Sequence, residues 1–334
     1  QSGHFTVSEL CEQFSISRKT GHKWIGRHAA GGFKGLEDRS RAPKSPAHRT
    51  EEEVERLIVS ERSKHPTWGP KKLWKVLEIK HAIESPPARS TIGEILKRNG
   101  LVEARRRRPG VFSVDRTTLT EAERGNQVWA VDFKGWFVLG DESRCDPLTV
   151  SDLYSRFLLQ IKALPGQTMG PTRRSFGELF RVKGLPAIIR VDNGSPFASV
   201  GPGGLSRLSV WWIGLGISVE FTRPGCPQDN GCHERMHRTM KRECCVPASA
   251  NLEAQQQRFD RWRKEFNEER PHEAIGQEFP ATLHQASNRR LKEAIKTRLY
   301  EPGDETRDVS ESGHISLNGK ACYVGEAFAG VSVA

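Results

Sequence analysis

No stretch of this chain offers 18 consecutive apolar residues, so a membrane-spanning helix is not expected. The opening QSGHFTVSEL also lacks the basic-then-apolar layout of a signal peptide. Cysteine is sparse: seven in 334 residues, an odd number, with no C-x-x-C pair among Cys11, Cys145, Cys226, Cys232, Cys244, Cys245 and Cys322. Such usage fits reduced thiols rather than a disulfide framework, and it argues against a zinc site in the cysteines that cluster near His233 and His237. These absences predict a soluble, cytoplasmic protein. The chain opens on Gln and stops in mid-pattern at Ala334, which leaves truncation open.

Negative charge is scarce where positive charge is dense. Residues 1–110 hold 23 Lys/Arg against 13 Asp/Glu, a net +10, and the remaining 224 residues carry only +1 of the total +11. A basic first third joined to a near-neutral remainder predicts a polyanionic partner, most simply double-stranded DNA. Within that third, Val7, Leu10, Cys11 and Phe14 recur at helical spacing, a break follows at Ser15, and a second helix is expected over 17–28. This is the layout of a helix-turn-helix. Trp24 and Ile25 are expected to pack inward, leaving Arg18, Lys19, Thr20, His22 and Lys23 for phosphates and base edges.

A turn-rich basic connector (31–49) leads to a second helical unit, which Thr50 is expected to cap, with an apolar stripe at Val54, Leu57 and Ile58. HPTWGPKKLWKVLEI and STIGEILKRNGLV complete a three-helix, winged-helix-like module in which Ser90 caps the last helix and Asn99-Gly100 ends it. The run Arg105, Arg106, Arg107 and Arg108 is a further candidate phosphate anchor.

After Gln127 the pattern changes to strands rich in β-branched and aromatic residues: VWAVDFKGWFVL, DPLTVSDLYSRFLLQIKAL and AIIRVDN, with helices expected over 172–182 and 205–215. An α/β domain therefore follows the helical part. Asp132 falls mid-strand and Asp192 at a strand end, both in apolar surroundings where an unpaired carboxylate is expensive. Beyond it, TRPGCPQDNGCHERMHRTMK reads as a Pro/Gly loop feeding a helix, on which Glu234, Arg238 and Lys241 share one face. The same helix literally matches the zinc-protease pattern H-E-x-x-H at His233, Glu234 and His237. Arg235, Arg238, Lys241 and Arg242 oppose a dication there, and no third ligand is identifiable. Oxygen ligands at Asp132, Asp192 and Glu234 instead suit two Mg²⁺ or Mn²⁺ ions and phosphodiester displacement. On that reading the two histidines are incidental, at the surface or near DNA.

WAVDFKGWF, RVDNGSPFAS and PGCPQDNGCHERMHRTMK resemble the three signatures of the integrase catalytic core found in Asp-Asp-Glu transposases of bacterial insertion sequences, relatives of retroviral integrases. SRKTGHKWIGR, LEDRSRAP and HPTWGPKKL resemble that group's N-terminal DNA-binding part, and NEERPHEAIGQEFPATL the segment after its core, so the likeness covers essentially the whole chain. It implies a multidomain chain: helix-turn-helix modules at 1–49 and 50–110, a ribonuclease H-like α/β core at 111–290, and a small β-rich C-terminal unit at 291–334. It maps the catalytic and metal-binding carboxylates onto Asp132, Asp192 and Glu234, and places Lys241 on transposon-end DNA. The implied activity is metal-dependent 3′-end cleavage followed by strand transfer, by a homodimer or larger assembly on DNA in a bacterial, nucleoid-associated setting, with no nucleotide cofactor. Asp192 and Glu234 have 41 residues between them where the family is often described with 35; the Gly-rich segment 199–207 is expected to loop out the excess, and Asp229 is the rival third carboxylate. The competing function is a DNA-binding repressor with an inactive core.

Overall fold

The computed structural model describes residues 5–38, 50–102, 119–199, 201–223, 229, 231–291 and 303–334. Arg105 to Arg108, the connector over 39–49, residues 224–228 and Asn230 lie outside the described residues. Residues 1–52 form one compact unit and residues 53–334 another.

In the first unit, Thr6 and Glu9 close a reciprocal capping box on α1 (Val7–Gln13), and Ser17 accepts from the Thr20 N–H to start α2 (Arg18–Gly31). Ser15 turns the chain between them with φ 53°. Gly21 is buried against Cys11, and a Cβ there would stand 2.3 Å from the Cys11 sulfur, so a glycine is what lets the two helices approach. Two helices with a tight junction match the expected helix-turn-helix. Ile25 departs from expectation: it is 40% exposed, while Trp24 is half-buried beneath Lys23 and Arg27, whose charges lie 5.6 and 5.0 Å from its ring. The seven-residue α1 packs on α2 at Gly21, through Cys11 and Val7, and Ile25, one turn further along α2, stays exposed.

The second unit begins with three helices: α3 (Glu52–Lys64), α4 (Pro70–Ile79) and α5 (Arg89–Arg98). They enclose Ile58, Trp68, Leu73, Leu77, Ile92 and Ile95. Ser90 is not the cap of α5; Ala88 holds that place without a side-chain bond, and Asn99 and Gly100 end the helix as expected. No strand accompanies these helices among the described residues, so the winged element of the expectation has no counterpart there.

A mixed sheet follows. Strands β1 (Val128–Phe133), β3 (Arg144–Asp152) and β4 (Leu158–Leu164) pair antiparallel, with the two-residue β2 (Phe137–Val138) extending along the start of β3. On the other side of β1 lie β5 (Ile188–Val191) and β6 (Ser218–Phe221), both parallel to it. Helices α6 (Met169–Lys183) and α7 (Arg207–Gly214) make the crossovers and cover one face, where Trp129, Val131, Leu148 and Val150 meet Phe176, Phe180 and Trp212. Helices α8 (Gly231–Met240) and α9 (Leu252–Glu268) cover the other, burying Leu158 and Ile161 against Met236, Met240, Phe259 and Trp262. Three antiparallel strands joined to two parallel ones between helical layers is the ribonuclease H-like arrangement. A short helix α10 (Pro280–Leu283) follows, and β7 (Arg307–Asp308) pairs with β10 (Ser332–Val333), and β8 (His314–Leu317) with β9 (Lys320–Tyr323), to make the expected small C-terminal β unit.

The helical module is tied to the sheet domain by charge. Glu243, in the π-helical turn after α8, accepts hydrogen bonds from Thr67, from Trp262 Nε1 at 2.6 Å and from Arg270 at 3.1 Å. Both ionic partners are largely buried, 15% and 8% exposed. Lys71 bonds Glu273, Lys75 reaches Glu278 at 3.3 Å, and His65 meets Glu265 at 2.9 Å. Removing one member of a buried pair strands the other, at a cost of about 3 kcal/mol. Glu243→Ala is therefore expected to lower unfolding stability by about that amount, with amide exchange rising first over 65–75; unchanged protection there would contradict the docking role.

Candidate active site

Period-two alternation decides where Asp132 points. Trp129 and Val131 face the α6/α7 layer, so Asp132 faces α8. Pairing with β5 decides its neighbour: Ala130 is opposite Arg190 in parallel register, so two residues further along both chains Asp132 and Asp192 come level. Adjacent strands lie about 4.8 Å apart, and the two carboxylates stand side by side at the carboxyl ends of their strands. Asp192 is exposed, just past the last residue of β5, and accepts the Gly194 N–H at 3.1 Å. Asn193 anchors the same turn by donating to the Thr222 carbonyl at 2.6 Å.

Glu234 lies in the first turn of α8 with its side chain exposed. Its charge reaches the pair. The Asp132 carboxyl is pushed up from 3.8 to about 7, first by burial, then by the Asp192 charge, against the Phe133 N–H, with a smaller contribution from Glu234. Asp229 is otherwise engaged: Arg223 bonds it through its backbone N–H at 3.0 Å and its guanidinium at 3.0 and 2.8 Å, and this pairing holds the carboxyl low. The Gly-rich segment forms a closed loop, bridged at Ala198 and Leu205 with a 3-10 turn over Pro202–Gly204. That loop takes up chain between Asp192 and Glu234.

The histidines are not incidental. His233 is 1% exposed and His237 12%, both turned inward with Met236 and Met240. Burial holds both imidazoles well below their usual range, hence neutral. Thr149 Oγ1 donates to the Asp132 carbonyl at 3.0 Å and lies 2.7 Å from His237 Nε2. With its only proton committed, Thr149 must accept from Nε2–H, which leaves the Nδ1 lone pair facing the Asp132 carboxylate at 3.8 Å. A lone pair and a carboxylate in that position repel unless a proton or a cation lies near. The same geometry disfavours the zinc-protease pattern, since Glu234 is exposed while His233 is buried and His237 Nε2 is engaged by Thr149. His233, Met236, His237 and Met240 fall on one helical face, a sequence signal of an inward-facing stripe that the H-E-x-x-H match conceals.

Among the described residues no three His, Cys, Asp or Glu side chains form a ready-made metal cage. The donor set nevertheless suits hard divalent ions: two adjacent carboxylates and a third nearby, with a carboxyl held up by burial and then by its neighbours' charge, gain from a cation. Of the expected DNA contacts, Arg18, Lys19, His22 and Lys23 are exposed on α2, whereas Thr20 is half-buried and bonded to Ser17. Arg238 and Lys241 are exposed, although Lys241 already belongs to the π-helical turn and so leaves the α-helical register shared by Glu234 and Arg238.

The raised Asp132 carboxyl has a consequence for stability. Between pH 4 and about 7 the folded state holds a proton that the unfolded chain has released, so in the absence of divalent ions stability falls as pH rises through that window. Asp132→Asn is expected to raise stability at pH 8 by ~2 to 4 kcal/mol and to change it little at pH 3.5, by urea unfolding in chelator. An equal effect at both pH values would contradict the assignment.

Comparison with known proteins agrees with this architecture. The integrase core domain family matches residues 215–280, and a homeodomain-like domain family matches residues 20–96. The insertion element IS407 uncharacterized 31.7 kDa protein of Burkholderia multivorans is 27% identical over 197 residues, which is 56% of this chain and 66% of that protein. The insertion element IS476 uncharacterized 39.2 kDa protein of Xanthomonas euvesicatoria is 26% identical over 204 residues, 60% of this chain and 56% of that protein. The chain thus spans between 56% and 66% of the length of these curated relatives. Among solved structures, the HTLV-2 integrase catalytic core domain in complex with magnesium aligns over 49% of this chain and 100% of its own, at 15% identity and TM-score 0.39. The BIV integrase catalytic core aligns over 48% and 94%, at 19% identity and TM-score 0.37. With an integrase core domain match over 215–280, a homeodomain-like match over 20–96 and insertion-element relatives, the chain is similar to insertion-sequence proteins that carry an integrase core.

Proposed function

We propose that the protein binds the ends of its mobile element and catalyses cleavage at their 3′ ends followed by transfer of the exposed 3′-OH into target DNA, with Asp132, Asp192 and Glu234 as catalytic carboxylates. The observation that carries this reading is the parallel register of β1 and β5, which brings Asp132 level with Asp192 where the Glu234 charge is also felt. Mg²⁺ or Mn²⁺ held by these three would supply charge neutralisation at a phosphodiester undergoing in-line displacement, two ions being the arrangement this chemistry favours.

The chain's own contribution is positioning. Thr149 and His237 fix the backbone and outward reach of Asp132 from below, and the Asn193–Thr222 and Gly194–Asp192 bonds fix the turn that carries Asp192. Glu234 is mounted on a helix anchored to the sheet through Met236 and Met240, so its distance to the strand carboxylates is set by packing. Arg238 and Lys241 put positive charge beside it, suited to the phosphates of element-end DNA. Arg18, Lys19, His22 and Lys23 are the groove-facing candidates of the first unit, with Thr20 contributing to its helix cap, and Arg105 to Arg108 add basic charge beyond α5. Joining two ends to one target calls for a dimer or larger assembly on DNA.

The test is incubation of purified protein with labelled element-end duplex and Mg²⁺ or Mn²⁺. Expected are 3′-end cleavage and strand-transfer products, lost by at least about a thousandfold in Asp132→Asn, Asp192→Asn and Glu234→Gln while end binding persists. Specific binding with no product in the unaltered protein would overturn the catalytic reading in favour of a repressor. Full activity in Glu234→Gln would overturn the choice of third carboxylate.

A further inference from the structure

On the flank of α8 turned away from Glu234, a cavity of about 220 Å³ concentrates positive charge. Cys232, Arg235 and Thr239 line it from the helix, and at 3.6 residues per turn Cys232 and Thr239 lie on the side opposite Glu234, with Arg235 at their edge. The turn between β3 and β4 adds Arg156, the segment after α9 adds Arg270, and Lys72 of α4 closes the rim. The pocket is thus built jointly by the helical module and the sheet domain.

The acidic groups beside it are already satisfied. Glu273 is bonded by Lys71, and Asp152 accepts from the Asn126 N–H, the Ser155 N–H and the Ser155 hydroxyl. Arg270 is in turn taken by Glu243. That leaves Lys72, Arg156 and Arg235, for which no ion pair occurs among the described residues. Arg156 donates from one terminal nitrogen to the Cys232 sulfur at 2.8 Å, while its buried Nε has no hydrogen-bond partner. Among the described residues the Arg235 guanidinium bonds the Gly231 carbonyl at 3.3 Å and the Cys232 sulfur at 4.0 Å, and its charge acts on Glu273. Lys72 is half-buried, and burial followed by the Arg270 charge pulls its ammonium down to about 7.

Lys72, Arg156 and Arg235 converge on one recess whose carboxylates are shared or already bonded, Glu273 acting on both Lys72 and Arg235 while bonded by Lys71, and guanidinium forks with unused donors match the geometry of a phosphate. The volume equals about seven waters, which suits a phosphate with part of its hydration and not a whole nucleotide. We infer that this recess is a phosphate-binding site at the joint between α4 and α8, separate from the carboxylate site, taking a single phosphate group that is either free or part of a DNA backbone. Because Lys72 belongs to the helical module and Arg156 and Arg235 to the sheet domain, an occupant bridges the two. The site does not depend on the chemistry proposed at Asp132, Asp192 and Glu234.

The test uses the full chain in chloride buffer at constant ionic strength, titrated with inorganic phosphate by calorimetry, and with a short duplex over a range of salt. Single-site phosphate binding, weakened at least tenfold in Arg156→Gln, Arg235→Gln and Lys72→Gln and unchanged in the distant Lys320→Gln, is the expected result. Melting curves establish that each variant is folded; should Arg156→Gln not fold, the exposed Arg235→Gln carries the test. A fall of about one in the salt-dependence slope for duplex in those variants identifies the DNA backbone as the source. An unchanged slope with lost phosphate binding identifies free phosphate. Absence of saturable phosphate binding together with an unchanged duplex slope, or phosphate binding indifferent to all three substitutions, overturns the inference.

Discussion

Two carboxylates held level on neighbouring parallel strands repel each other, and much of the sheet domain serves to keep them there. The register that aligns Ala130 with Arg190 is set several residues before Asp132, by the buried Val128 and Trp129 and their pairing with Ile188 and Ile189. Apolar packing of Trp129 and Val131 against Phe176, Phe180 and Trp212 holds the opposite face. The repulsion is a local cost met by burial elsewhere, as expected of a site whose charge is meant to meet a cation. Thr149 and the neutral His237 brace Asp132 from the α8 side, where a charged imidazole would instead form a permanent ion pair with it.

Helix α8 is the element on which the most constraints converge. One flank packs into the sheet through His233, Met236 and Met240, a second carries Glu234 and Arg238 outward, and a third lines the cationic recess with Arg235. The π-helical turn that follows directs Glu243 toward Arg270, Trp262 and Thr67 and so joins the helix to the module of α3 to α5. The carboxylate surface and the docking surface therefore belong to one rigid segment, and basic residues of α4 are divided between them: Lys71 and Lys75 bind core carboxylates, while Lys72 faces the recess.

Local chemistry was legible in the sequence wherever a short pattern had one physical solution. The strand VWAVDF, the helices expected over 172–182 and 205–215 and found over 169–183 and 207–214, and the turn after Asp192 follow from periodicity and turn residues read in place. Ile25 and Ser90 did not, because which face of a short helix is buried, and where it starts, depend on partners that no local window contains. The histidines of HERMH were misplaced for the same reason: their spacing suits a metal, a surface or a core alike, and only the sheet beneath α8 distinguishes these.

The sequence by itself determined the basic first third, the order of helical modules and α/β core, and the three ordered signatures that carry Asp132, Asp192 and Glu234, since these are properties of composition and of chain order. Tertiary structure alone decided that Asp229 is consumed by Arg223, that His237 backs Asp132 through Thr149, and that Lys72, Arg156 and Arg235, 84 and 79 residues apart along the chain, share one recess. Contacts between distant segments are fixed by strand register and helix packing, and neither is written in any single stretch of sequence.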